Sequence, residues 1–186
     1  MQKLYRPFSM KTVESSGTFS GYASVWNTWD AQEEQVLPGA FSTSLQRSKD
    51  ASSWPKLLWQ HDPQEPIGAW DEIQEDSHGL FVQGTLFLEL QKAKEAHLLL
   101  QKKVVDGLSI GYVPQKVKHT QEGRLLEVVD LHEISLVTFP SNPSARIHAV
   151  KKKEIVFEPM EDVEDLYSFQ QEVGLFIHEI QSYTYH

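Results

Sequence analysis

The 186-residue chain has no cysteine. That absence removes disulfides, thiolate zinc sites and cysteine nucleophiles, so packing must hold the fold and any nucleophile must be an oxygen or a nitrogen. Long apolar runs are missing as well. No stretch approaches the ~18 residues of a membrane-spanning helix, and the opening "MQKLYRPFSMKTVESSG" lacks the apolar centre of a signal peptide. The expectation is a soluble, cytoplasmic protein with no membrane partner. Positive charge is scarce: 17 Lys and Arg stand against 26 Asp and Glu, for a formal net charge of −9. Eight of those acids follow Lys153 with no Lys or Arg among them, leaving 18 acids to 17 bases in residues 1–153. A near-neutral body argues against nucleic acid as the main ligand, because phosphate recognition rests on a basic face. The acidic tail suits a basic protein partner, and equally a solvated acidic helix. No internal repeat or low-complexity tract interrupts the chain.

What is present is enough for one domain. With 40% hydrophobic and 11% aromatic residues, the chain can bury a real core, and two full domains would be a tight fit. Residues 1–150 read as the domain and 151–186 as an acidic extension, partly helical by the spacing of Val163, Leu166, Phe169 and Val173. Within the body, "TFSGYASVW", Lys56 to Gln60, Ile67 to Ile73 and "GLFVQGTLF" have the composition and alternation of strands, with a turn at Ser77 to Gly79. "VLPGAFSTSLQRS" turns at Pro38-Gly39 into a short helix. In "ELQKAKEAHLLLQKKVVDG" the residues Leu90, Ala93, His97 and Leu100 follow helical spacing, with Gly107 placed to close the helix. "LSIGYVPQKVKHT", "RLLEVVDLHEISLVTF" and "ARIHAVKK" are strand-like again. So many short strands and so few helices predict a mainly β, α+β fold. A closed or nearly closed antiparallel barrel flanked by a few helices would leave the fewest unpaired edges.

Three polar residues stand out in that frame: His61 in "LLWQHDP", Ser109 in "DGLSIGY" and Glu133 in "DLHEISLVTFP". A serine hydroxyl attacks a carbonyl at neutral pH only when a base takes its proton, and imidazole is the usual base. A third polar group then fixes the ring tautomer and stabilises the imidazolium. Spacing does not say whether the three meet. Ser109 alone reads more readily as an ordinary strand serine, and Glu133 equally well as the solvent side of a one-sided sheet. The competing chemistry is a metal site from His61, Asp62, His132 and Glu133, although no two histidines have the helical spacing of the common zinc hydrolase motif.

Six blocks, taken together and in order, narrow the choice. "GYASVWNTWD", "VLPGAFSTSL", "LLWQHDPQEPIGAWDEIQED", "GLFVQGTL", "VVDGLSIGYVP" and "VVDLHEISLVTFPSNPSA" closely resemble the prohead (capsid maturation) proteases of tailed phages. That family is similar in fold to the herpesvirus assembly protease, a β-barrel serine protease flanked by helices. The resemblance implies Ser109 as nucleophile and His61 as general base, with no cofactor and no metal. For the third member it favours Glu133, with His132 as rival and Asp30 as a further option. Strand alternation lets only one of His132 and Glu133 face the site. Where the herpesvirus enzymes carry an arginine pair to support the oxyanion, "VTFPSNPSA" has none, which shifts that role to backbone near Ser141, Asn142 and Ser144. "DAQEEQVLPGAF" has Glu33-Glu34 where relatives often carry a Gly-Asp pair, which weakens the case for Asp30. The implied partners are the phage major capsid protein with its scaffold segment, and a second copy as a homodimer. The implied place of action is the procapsid in the host cytoplasm.

Overall fold

The computed structural model describes residues 8–13, 16–151 and 154–159. The chain divides into two compact units, one of residues 16–151 and one made from 1–15 with 152–186. In the larger unit the strands are β2 (Thr18–Val25), β3 (Glu34–Val36), β4 (Lys56–Trp59), β5 (Asp62–Glu75), β6 (Gly79–Leu86), β7 (Gly107–His119), β8 (Arg124–Val137) and β9 (Ile147–Val150). The helices are α1 (Ser42–Asp50) and α2 (Gln91–Gln101). In the smaller unit the described part is an antiparallel pair of β1 (Phe8–Val13) with β10 (Glu154–Pro159). The helix expected around Val163, Leu166, Phe169 and Val173 lies outside the described residues.

The larger sheet runs β3, β8, β4, β5, β6, β2, β9, with β7 paired to β8. Its free ends are brought together. Gly107 at the start of β7 bridges Arg146 just before β9. The Leu108 N–H donates to the Ala145 carbonyl at 3.0 Å and the Ile147 N–H to that of Asp106 at 2.8 Å. The result is the nearly closed, helix-flanked sheet that the strand-rich sequence predicts, with two parallel joints, β3 to β8 and β4 to β8, among antiparallel neighbours. Closure satisfies backbone groups that an open sheet would leave at its edges.

Alternation decides which side chains fill the interior. Leu80, Val82 and Leu86 of β6 are buried, with Phe81, Gln83 and Thr85 between them only half-buried. In β5 the buried set is Ile67, Trp70 and Ile73, and the step of three from Trp70 to Ile73 spans the register slip between Trp70 and Glu72. Trp70 faces Gly84 across the ladder, and a Cβ at Gly84 would sit 2.8 Å from the indole. Helix α1 has no side-chain cap of its own at Phe41. Glu75 supplies one from β5, accepting from the Phe41 N–H at 3.0 Å and the Ser42 hydroxyl at 2.6 Å. A carboxylate there also complements the positive end of the helix dipole.

Helix α2 buries Ala93, Ala96, His97 and Leu100, which is close to the predicted stripe. Leu90 is not part of it: it stands at the N-cap and is largely exposed. Nor does Gly107 close the helix. The helix ends at Gln101, Lys103 turns the chain with a φ of +56°, and the Val104 N–H returns to the Leu99 carbonyl at 2.9 Å. A lysine thus takes the left-handed position that glycine usually fills, and Gly107 is free to open β7. No helix among the described residues is long and apolar enough to cross a membrane.

Candidate active site

Strand β8 is the central element of the site. It is 14 residues long, pairs with β7 on one side and with β3 and β4 on the other, and buries Leu126, Ile134, Leu136 and Val137. Side chains two apart share a face, so Glu133 and Ser135 stand together. Opposite them on β7 are Gly111, paired with Glu133, and Ser109, paired with Ser135. Ladder bonds fix the backbone on both sides of Ser109, and the residue is only 7% exposed.

His61 arrives from the other side of β8. Strands β4 and β5 form a hairpin in which Trp59 faces Asp62, so the connection is two residues long, Gln60 and His61. Their φ values are +54° and +62°. Two-residue hairpins favour a turn with both central residues left-handed, normally Asn-Gly, and a Gln-His pair there costs on the order of 1–3 kcal/mol per residue. Such a turn persists when its surroundings over-determine it. Here the Gln60 N–H donates to the Leu136 carbonyl at 2.9 Å, the Gln60 side-chain amide binds Thr138, and the His61 N–H donates to Ser135 Oγ at 3.2 Å. Every one of those bonds fastens the turn to the end of β8.

The imidazole is therefore held against the carboxylate. His61 Nδ1 lies 2.5 Å from Glu133 Oε1, and Ser135 Oγ donates to Glu133 Oε2 at 2.6 Å. The His61 side chain is 42% exposed and that of Glu133 14%. The hydrogen bond to Glu133 pushes the His61 pKa above its ordinary value, with partial burial of the ring opposing. With Nδ1 occupied, Nε2 is the nitrogen left to take up or release a proton.

His61 and Ser109 border one cleft of about 260 Å³. Asp30, Ser141 and Asn142 also line it. No hydrogen bond joins Ser109 to His61 among the described residues, and in free enzymes such bonds are often long until substrate arrives. An alcohol, an imidazole and a carboxylate disposed in this way can carry a proton from the hydroxyl to the ring while the carboxylate holds the tautomer.

The other candidates fall elsewhere. The His132 side chain is 59% exposed, with Nε2 3.6 Å from Asp130 Oδ2, so alternation turns Glu133 and not its neighbour toward His61. Asp30 lines the cleft, but its Oδ1 accepts the Gln32 and Glu34 N–H groups at 2.8 and 2.9 Å, which makes it the brace of the loop after β2. The Ser141 carbonyl accepts the Ala31 N–H at 3.0 Å, and Asn142 Nδ2 donates to the Val25 carbonyl at 3.1 Å, so the loop after β8 is tied to β2 and the loop that follows it. The Ser144 N–H donates to Asn142 Oδ1 at 3.0 Å and is already engaged. Asp62, part of the rival metal set, accepts the Gln64 N–H at 2.9 Å. Among the described residues no group of three or more His, Asp and Glu side chains is placed to hold a metal ion.

Sequence reasoning did not single out Ser135, Gly111, or the buried Glu34 with Tyr112 and Arg124 beside the cleft. The first was within reach, since period-two spacing puts Ser135 on the face of Glu133. Nothing local signals the last group, whose members are 78 and 90 residues apart.

A curled, nearly closed sheet that brings Ser109 and His61 to one cleft, with Glu133 behind the imidazole, has the layout of a nucleophilic hydrolase. Residues 6–160 match the model of the caudovirus prohead serine protease family, and the chain belongs to that family. It is 36% identical over 154 residues to the prohead protease of Enterobacteria phage HK97, covering 80% of this chain and 66% of that protein. It is 33% identical over 137 residues to the capsid polyprotein of Pseudomonas phage PAJU2, covering 64% of this chain and 20% of that one. Among solved structures, the bacteriophage T4 capsid assembly protease superposes with a TM-score of 0.53 at 6% identity, over 70% of this chain and 98% of that one. At that identity the likeness is one of fold.

Proposed function

We propose that the chain is a serine endopeptidase that cleaves the scaffold segment of its phage's major capsid protein, and itself, while the prohead matures. The observation that carries this reading is that His61, 2.5 Å from Glu133 through Nδ1, borders one cleft with Ser109 in a member of a serine protease family. In the proposed sequence the Ser109 Oγ attacks the scissile carbonyl carbon as its proton passes to His61 Nε2. Glu133 holds Nδ1–H and stabilises the imidazolium. Collapse of the tetrahedral adduct breaks the C–N bond, and the proton on Nε2 goes to the departing amine. Water, deprotonated by the same nitrogen, then hydrolyses the acyl-enzyme and frees Ser109. Backbone amides at Ser141 and Asn142 are the proposed oxyanion donors, a role worth about 3 kcal/mol per donor.

The capsid protein and its scaffold segment are the proposed partners, the prohead interior in the host cytoplasm the place of action, and a homodimer the proposed working form. Names among the relatives, a prohead protease and a capsid polyprotein, support that assignment. The acidic segment 151–186 is proposed to dock on the scaffold or to be removed by self-cleavage. The test is co-expression of the chain with its major capsid protein, wild type beside Ser109→Ala, with masses read from the purified particles. Wild type is expected to shorten the capsid protein, and the variant to leave it whole, with a loss of about 10⁴-fold or more. Equal, uncut masses in well-formed shells would instead point to an inactive scaffold or shell-binding protein of the same fold.

A further inference from the structure

We infer that Ser135, with Gly111 across the ladder, is the device that positions the His61–Glu133 pair. This rests on the catalytic reading above and adds to it a residue that does not touch substrate. Ser135 is fully buried and its hydroxyl makes two bonds, accepting from the His61 backbone N–H at 3.2 Å and donating to Glu133 Oε2 at 2.6 Å. One oxygen thus ties the strained turn that carries the base to the carboxylate that orients it. The two bonds also set the hydroxyl's polarity. Because the His61 N–H can only donate, the Ser135 oxygen must accept there, and its single proton is left for the carboxylate. That proton occupies one oxygen of Glu133 and leaves the other aimed at Nδ1.

Gly111 supplies the space. A Cβ built on Gly111 would lie 2.2 Å from Glu133 Oε1 and 2.8 Å from its Cδ, so any side chain at this position displaces the carboxylate from the imidazole. The displaced atoms are the end of a flexible side chain, so the fold can absorb the change while the site does not. Ser135 faces Ser109 and Gly111 faces Glu133 in the same β7–β8 ladder. Ser135, Gly111, Glu133 and the Ser109 nucleophile are therefore set by one register, and a one-residue slip would lose all four together.

The test uses the full chain with a fluorophore-bearing fluorophosphonate, which labels an activated serine. The labelling rate is followed from about pH 5 to about pH 9, across the histidine range. The Nδ1–H proton of His61, which a short bond to a carboxylate moves far downfield, is recorded by NMR in parallel. Ser135→Ala is expected to slow Ser109 labelling about ten- to a hundredfold, the size of effect that a misplaced catalytic group produces. It should also move the downfield proton toward the ordinary imidazole position, and Ser135→Thr, which keeps the hydroxyl, should restore both. Gly111→Ala should reproduce the defect with Ser135 intact. Labelling at the wild-type rate by Ser135→Ala with the proton signal unmoved would overturn the inference. Where Ser135→Ala does not fold, unimpaired labelling by Gly111→Ala would do so. If wild type labels no faster than Ser109→Ala, the protease reading fails instead, and the proton signal still reports whether Ser135 holds the pair.

Discussion

Two buried or half-buried carboxylates border this site, and they illustrate how partner chemistry divides labour between like groups. Glu133 is paired with His61, an imidazole that gains and loses its proton near neutrality, and with the Ser135 hydroxyl. Glu34 is only 2% exposed and is paired with Arg124, whose charge is permanent, and with the Tyr112 hydroxyl. Burial and the Glu34 carboxylate push the Tyr112 pKa far above its ordinary value, so that proton stays in place as well. The first group can pass a proton through its partner. The second is locked, and its geometry is that of a clamp joining β3, which it begins, to β7 and β8. Both have a carboxylate, a hydroxyl donor and a cationic or ionisable partner, so residue types alone do not separate the two roles.

Of the two carboxylates, Glu133 should be the more sensitive to substitution. Glu133→Gln keeps the shape but removes the charge that stabilises the imidazolium. Peptidase activity at its pH plateau should fall by about 10²- to 10⁴-fold, measured as capsid-protein cleavage or serine labelling. The pH dependence provides the sharper reading. In the proposed mechanism neutral His61 accepts the proton, and Glu133 holds its pKa above the ordinary value, so wild-type activity should be lost as pH falls through a midpoint above about 6.5. Without the carboxylate that midpoint should move down. A variant whose acid limb stays in place would mean that Glu133 does not govern the ring. The same shift has a stability sign: a folded pKa raised above the unfolded one favours the folded state below about pH 6.5, and that contribution fades as pH rises through the folded value.

How much of this was legible in the sequence differs between the two carboxylates for physical reasons. Glu133 was readable because an acid among Leu131, Ile134, Leu136 and Val137 needs either water or a partner, and because the family resemblance placed it near His61. Alternation also told that only one of Glu133 and His132 can face the ring, but not which one. The barrel follows from many short strands that must lose their edges. Its closure between Gly107 and Arg146 depends on a bridge between distant segments, which no local pattern records. The left-handed Gln60-His61 turn was hidden because neither residue is a usual turn residue, and only the bonds to β8 make it tolerable. Glu34 sits in "DAQEEQV", a stretch that reads as solvated loop. Its burial is decided by Tyr112 and Arg124, which arrive from strands far along the chain.

Substitutions in the clamp should appear in stability instead. Arg124 is 46% exposed and Glu34 2%, so the two ends of the pair are not equivalent. Arg124→Ala strands a carboxylate in the interior and should cost about 3 kcal/mol, the lower range for removing one partner of a buried pair. Glu34→Ala leaves a guanidinium that can turn to water and should cost less. Urea denaturation of the two single variants checks the order. If Glu34→Ala proved the more destabilising, the carboxylate would be packing the core through its stem, and the clamp would not be electrostatic.

Tyr112→Phe is the smallest of these changes and separates the two networks most directly. It removes one hydroxyl from Glu34 while Arg124 stays, and the expected loss is about 1.5–2 kcal/mol, the lower part of the range for a hydrogen bond to a charged group. Tyr112 stands one residue beyond Gly111 on β7, where the register shifts, so its ring belongs to the Glu34 network while Gly111 faces Glu133. The acid limb of the labelling rate should therefore stay where it is in wild type, because no atom bonded to His61 has changed. A shifted limb would show that the two carboxylates are coupled through the β7 backbone, and the clamp would then be part of the proton-transfer machinery.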